Sequence, residues 1–312
     1  MNVSTPNNDA FDATGELPQI PPRRRLELSW IGWVATAIVG IWIVLALVGP
    51  WIAPWHQADF IEYDQNGEDI LDPSFMLPNV AIRSYLGTDY LGRDVLSRIV
   101  WGARTTIGIS FAATLLAYAV GVTLGIAAAV SGRYVDMALS RFFDAVLAFP
   151  NIMLGLIVIA AFQSSIPLLI FLGGFVYSAS VFRIARALGQ DIMVQDYVEA
   201  ARARGEGPWW IITREILPNA IMPLATDFGL RLVYVILFVS SLSFLGLGVQ
   251  PPDADWGSMV RENMQGLSLG MGGGALACVA PALAIASLAI SINLIVDDIS
   301  AASGGRLSER MK

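Results

Sequence analysis

Glu199-Ala200-Ala201-Arg202-Ala203-Arg204-Gly205-Glu206-Gly207-Pro208-Trp209-Trp210-Ile211-Ile212-Thr213-Arg214-Glu215-Ile216-Leu217-Pro218-Asn219 is a polar, arginine-bearing island between long apolar runs. A chain that spans a bilayer can keep such a segment only in water or against a partner. Tyr197 to Arg204 has the alanine-rich composition of a short helix. Gly205-Glu206-Gly207-Pro208 breaks it. Trp209 to Leu217 reads as a second helix, closed before Pro218. Two short helices around a glycine turn predict a protrusion, and a protrusion on a membrane protein is a candidate docking point.

The rest of the chain supplies the membrane. Of its 312 residues, 55% are hydrophobic and 14% charged, well short of the charge a soluble domain carries. Apolar runs of bilayer length predict an all-α polytopic protein with about six transmembrane helices. They fall near 30–53, 105–130, 143–163, 166–186, 221–246 and 273–296. Phe149-Pro150-Asn151 predicts a kink in the third span, and Gln163-Ser164-Ser165 a tight hairpin into the fourth. Gly121 and Gly125 form a G-x-x-x-G pair that lets a neighbouring helix approach. The organisation is a disordered cytoplasmic segment over 1–29 and a first helix with its extracytoplasmic loop over 30–104. A core transmembrane unit over 105–296 and a cytoplasmic tail over 297–312 follow.

Arginine placement predicts orientation. Arg23, Arg24, Arg25, Arg133, Arg141, Arg183, Arg186, Arg202, Arg204, Arg214, Arg306, Arg310 and Lys312 fall on one side of the predicted membrane. Only Arg83, Arg93, Arg98, Arg104 and Arg261 fall on the other. The positive-inside bias puts both termini, and residues 187–220, in the cytoplasm, with Glu68 and Asp255 outside.

Several chemistries are excluded. His56 is the only histidine and Cys278 the only cysteine, so there is no intrachain disulfide and no multi-histidine metal site. No phosphate-cradling Walker loop, serine-nucleophile elbow or zinc-protease motif occurs. The chain is expected to be non-catalytic, to carry no cofactor and to bind no nucleic acid. Asp227 and Arg231 are intramembrane charges four residues apart, hence on one helix face. They form either a self-neutralising pair or part of a translocation path or subunit interface.

Three stretches carry a family resemblance. Glu199, Ala200, Ala201, Gly205, Leu217, Pro218 and Asn219 resemble the EAA loop of ABC-importer permeases. Leu86-Gly87-Thr88-Asp89-Tyr90-Leu91-Gly92-Arg93-Asp94-Val95-Leu96-Ser97-Arg98, then Gly102-Ala103-Arg104, resembles the signature of C-type permeases of the dipeptide/oligopeptide/nickel group. Physically, Gly87 to Asp89 can turn, and Asp94 to Val100 can form an interfacial helix with Arg98 in water. Leu242-Ser243-Phe244-Leu245-Gly246-Leu247-Gly248-Val249-Gln250-Pro251-Pro252, then Trp256-Gly257, is similar to that group's fifth-helix exit. Val239 and Glu215 depart from residues common in the group, which weakens transfer of substrate identity.

The resemblance implies a type I ABC-importer permease in a prokaryotic inner membrane, with residues 195–219 as its coupling loop. It implies a heterodimer with a second homologous permease, two ABC ATPase subunits that bind ATP and Mg, and an extracytoplasmic substrate-binding protein, all in membrane lipid. Peptides lead as substrate, with nickel chelates, opines, glutathione and oligosaccharide-like solutes as alternatives. A self-sufficient secondary transporter or channel is the competing reading, but it predicts internal repeats and more intramembrane charges.

Overall fold

The computed structural model describes residues 29–62, 66–67, 69–70, 72–268, 270 and 272–310, without side chains at 272 and 302–310. The expected N-terminal segment up to residue 28, Glu68, and the side chain of Arg306 lie outside the described residues. Ten α-helices follow in order: α1 Trp30–Ile52, α2 Val95–Val130, α3 Arg133–Leu147, α4 Asn151–Phe162, α5 Ile166–Met193, α6 Asp196–Ala203, α7 Pro208–Ile211, α8 Leu217–Phe244, α9 Trp256–Ser268 and α10 Gly272–Arg310. Five stretches are long and apolar enough to cross a membrane, and six if α3 and α4 count as one broken span. The all-α polytopic expectation holds.

Caps set the helix starts. Ser29 accepts from the Gly32 N–H at 3.1 Å to open α1, and Asp94 accepts from the Ser97 N–H at 2.7 Å to open α2. Trp30, Trp33 and Trp51 project outward near the two ends of α1, as interfacial aromatics do. The core of the bundle is α2 against α5. An added Cβ at Gly121 would stand 2.6 Å from the Val181 Cβ, and one at Gly125 would stand 2.7 Å from the Phe182 carbonyl oxygen. The G-x-x-x-G pair therefore sets the helix separation.

Four expectations are corrected. The second span begins at Val95, not 105. Asp94 to Val100 is thus no separate interfacial helix, and the boundary at 104/105 cuts α2. The third span is not one kinked helix: α3 and α4 meet at an 84° bend across residues 148–150. Pro150 forces that break, because it has no N–H to continue the ladder. Pro218 does not end a helix. Residues 208–244 run on as one 37-residue helix, with a π-helical turn over Ile212–Ile216 just before the proline. The wider turn rearranges the carbonyls that Pro218 cannot serve. Lastly, Arg98 is not in water. It is 1% exposed.

Arg98 belongs to a buried ion cluster that fastens residues 86–94 to the bundle. Asp89 accepts from Arg93 Nε at 2.8 Å and from Arg98 Nη1. Glu262 of α9 accepts from Arg93 Nη2 at 3.0 Å and forms an ion pair with Arg98 Nη1 at 3.2 Å. Two guanidinia thus face two carboxylates, which is the balance a low-dielectric site requires. Asp89 also accepts from the Leu91 and Arg93 N–H groups, each at 2.9 Å. Gly92, at φ +80°, makes the turn that lets it do so.

The chain alternates between two ends of the bundle. One carries the described residues between 53 and 94, the 163–165 hairpin and α9. Ser164 donates to the Gly248 carbonyl there. The other carries α3, α6 and α7. The Ser29 N–H donates to Asp298 Oδ2 at 2.7 Å, so α1 starts beside the later part of α10.

Candidate functional site

The polar island lies at the end where α5 stops and α8 is entered. Helix α6 has Asp196 and Glu199 in its first turn and Arg202 in its last, charges that complement the helix dipole. Its termination is specific. The Gly205 N–H donates to the Arg202 carbonyl at 2.9 Å, and the Glu206 N–H donates to the Ala201 carbonyl at 3.2 Å. This is the paired pattern of a Schellman cap. Gly205 sits at φ +86°, and a Cβ there would meet nothing within 4 Å. Backbone conformation alone therefore demands glycine; close approach does not.

Burial then sorts the side chains. Val198 and Ala201, three apart on one helix face, are fully buried against the chain itself. Ile211 and Ile216 are buried too, in one cluster with Val198, Ala185 and Ile192. Glu199 and Ala200 are exposed. Of Glu199, Ala200 and Ala201, only the first two therefore reach the outer surface, while the small size of Ala201 seats α6 on the bundle. Outward-facing apolar side chains join them: Val194 is 81% exposed and Trp209 76%. Arg204 lies over the Trp210 ring at 5.8 Å. The result is a compact projection whose outer face mixes apolar side chains with charges of both signs, above an anchored underside.

Leu217, Pro218 and Asn219 are exposed but occupy the start of α8, about two turns past Trp210. Asn219 Nδ2 donates to the Glu215 carbonyl at 2.7 Å. A side-chain amide thus serves a carbonyl inside the distorted turn. Its role here is to repair the ladder between the π turn and Pro223.

Asp227 and Arg231 do pair along α8. Arg231 Nη2 lies 3.2 Å from Asp227 Oδ1 and its Nε 3.3 Å from Oδ2. A third member was not foreseen: the Tyr118 hydroxyl of α2 donates to Asp227 Oδ2 at 2.6 Å. The carboxylate therefore ties α8 to α2 as well as neutralising Arg231. The buried Asp89–Arg93–Arg98–Glu262 cluster was missed altogether. Its sequence signal, charges at 89, 93 and 98, is present, but their partner Glu262 is remote. Among the described residues no group of three or more His, Cys, Asp or Glu could hold a metal ion.

At the other end of α8 a second Schellman cap recurs. Gly246, at φ +85°, donates to the Ser243 carbonyl at 2.9 Å, and Leu247 donates to the Leu242 carbonyl at 2.9 Å. Gly246 thus terminates α8. Beyond them Asp255 is buried, and its Oδ1 accepts from the Gly257 and Ser258 N–H groups at 3.0 and 3.3 Å. Burial pushes its carboxyl above the usual carboxylate range.

Comparison with known proteins agrees with this architecture. Residues 121–308 match the family described as binding-protein-dependent transport system inner membrane component. The dipeptide transport system permease protein of Haemophilus influenzae is 31% identical over 88% of this chain and 91% of its own length. The glutathione transport system permease protein of Pectobacterium atrosepticum is 30% identical over 80% of this chain and 78% of its own. The dipeptide permease protein of Alkalihalophilus pseudofirmus is 35% identical over 62% of this chain and 64% of its own.

Proposed function

The chain belongs to the binding-protein-dependent transport inner-membrane component family, and on that premise we propose that it is the permease subunit of an ATP-driven ABC importer of peptides. Relatives named for dipeptide and glutathione transport support a peptide-like substrate. A second, homologous permease completes the pathway, and an extracytoplasmic binding protein delivers the solute. Two ATPase subunits bind ATP and Mg and dock on residues 195–219. Both termini and that docking loop face the cytoplasm of a prokaryotic inner membrane. The permease itself performs no chemistry; it alternates access as the ATPases close.

The observation that carries this reading is the projection at Glu199, Ala200 and Trp209. It is fixed by a Schellman cap, seated by Ala201, and joined by a four-residue link to the helix that crosses the whole bundle. A force on α6 and α7 is delivered directly to α8. Arginine excess on this end supports its cytoplasmic placement.

The test is reconstitution with the partner subunits. Ala200→Trp adds bulk on the outer face without touching the buried side. Gly205→Asp forces a β-carbon into the left-handed region, at about 1–2 kcal/mol. Both variants should insert and assemble, yet lose ATP-dependent uptake and substrate-stimulated ATPase activity. Ala201→Trp is unsuitable, because it would crowd the chain's own core. If Ala200→Trp and Gly205→Asp both transport at wild-type rates, residues 195–219 are not the coupling element.

A further inference from the structure

A cleft of about 660 Å³ opens between α3 and α5. Four arginines line it, Arg133, Arg141, Arg183 and Arg186, against two aspartates, Asp136 and Asp144. One arginine is already committed: Arg186 pairs bidentately with Asp136, its Nη2 lying 2.6 Å from Oδ2. Among the described residues, the guanidinia of Arg133, Arg141 and Arg183 have neither an ion pair nor a side-chain hydrogen bond. The cleft therefore holds unspent positive charge.

The wall that bears two of these three uncommitted arginines, Arg133 and Arg141, has the character of an interfacial helix. Helix α3 is strongly two-faced: Phe143 is buried against Phe182, while Tyr134, Val135, Met137 and Phe142 project outward. Helix α4 runs into the bundle, and α3 leaves it at 84°, so α3 lies along the end of the bundle. A helix in that attitude, with exposed aromatic and aliphatic side chains beside arginines, sits at the boundary of headgroups and acyl chains. Basic pockets between helices at that depth fit phosphate-bearing headgroups. Guanidinium is the group best matched to a phosphodiester, through paired N–H···O contacts.

We propose that the cleft between α3 and α5 binds the headgroup of an acidic phospholipid, with Arg133, Arg141 and Arg183 holding its phosphate. Tyr134, Met137 and Phe142 reach toward the acyl region beside it. Asp144 tunes the site by lowering its net charge. The assignment depends on the chain spanning a membrane and not on what it transports.

The test uses the purified full-length chain in detergent, titrated with phosphatidylglycerol or phosphatidylcholine, and bound lipid is counted by native mass spectrometry. Wild type should prefer phosphatidylglycerol. Arg141→Gln with Arg183→Gln removes two exposed guanidinia that make no ion pair or hydrogen bond within the chain, so the fold should persist. Each lost arginine should weaken phosphatidylglycerol binding about 5-fold, hence roughly 25-fold together, with phosphatidylcholine unchanged. Asp144→Asn should act in the opposite direction, by about 5-fold. Equal binding of both lipids to wild type, or an undiminished preference in the double variant, overturns the proposal. If inorganic phosphate displaces the phosphatidylglycerol, the cleft is a site for a soluble anion and the lipid assignment fails.

Discussion

Asp89→Ala is the most informative single perturbation of this protein. Asp89 is completely buried and accepts from two guanidinia and two backbone N–H groups. Its removal leaves Glu262 as the only carboxylate facing Arg93 and Arg98, both at most 4% exposed. Removing one partner of a buried pair costs about 3–5 kcal/mol, because the remaining charge keeps its desolvation penalty. The cost should fall on the attachment of residues 86–94 to α9 and α2, since those are the elements the cluster joins. Amide hydrogen exchange of the full chain in detergent reads it directly. Protection of the Arg93 and Gly92 amides should fall by roughly two to four orders of magnitude, while α5 and α10 stay protected. Glu262→Gln should cost less, since an amide oxygen still accepts one guanidinium bond. Asp89→Ala combined with Arg98→Met should recover part of the loss, because it also removes one stranded charge. If exchange over 86–94 is unchanged in Asp89→Ala, or the double variant is simply additive, the cluster does not hold this segment.

Three further outcomes follow from the same physics. Asp227→Ala should lower the yield of folded protein more than the Asp227→Ala, Arg231→Met double variant, and Tyr118→Phe should cost about 1 kcal/mol by thermal unfolding. Burial raises the Asp255 carboxyl above its ordinary 3.8. Its contribution to stability is fully present below that value and is lost as pH rises through the higher folded-state value. Asp255→Asn keeps an oxygen for the Gly257 and Ser258 N–H groups, so it should flatten that fall in thermal midpoint with pH; an identical pH profile would refute the assignment. Gly121→Leu should abolish folded yield, because its side chain has no room against Val181 and the Ser178 carbonyl.

Much of this was legible because membrane helices announce themselves by length and apolarity. The 30–53 span, the start of the fourth span at 166, the 163–165 hairpin and the Gly205 turn emerged close to their predicted places. The inward turn of Ala201 was also within reach: Val198 and Ala201 are spaced to share a face, and only one face of an eight-residue helix can dock. Arg98 was not legible. A short stretch of apolar residues with one arginine looks like an interfacial helix until Glu262, far along the chain, supplies the counter-charge. Pro218 misled for a different reason. The rule that a proline closes the preceding helix assumes a regular ladder, and the π turn at Ile212–Ile216 suspends that assumption. Pro150 signalled a kink correctly, but a right-angle break depends on where α3 finds its packing, on Phe182.

The uninterrupted helix from Pro208 to Phe244 has a mechanical consequence. Thirty-seven residues at 1.5 Å each make a rod of about 55 Å. A tilt of about 5° about its midpoint carries the two ends roughly 2.4 Å in opposite senses. Displacement applied at Trp209 therefore reappears, reversed in direction, at Phe244 and the Gly246 cap. The irregular points of the rod, its π turn over Ile212–Ile216 and Pro223, both lie in the half nearer the loaded end. Such a lever loses little stroke over its long arm, and whatever bending it suffers is taken up in that half, before the far arm begins to move.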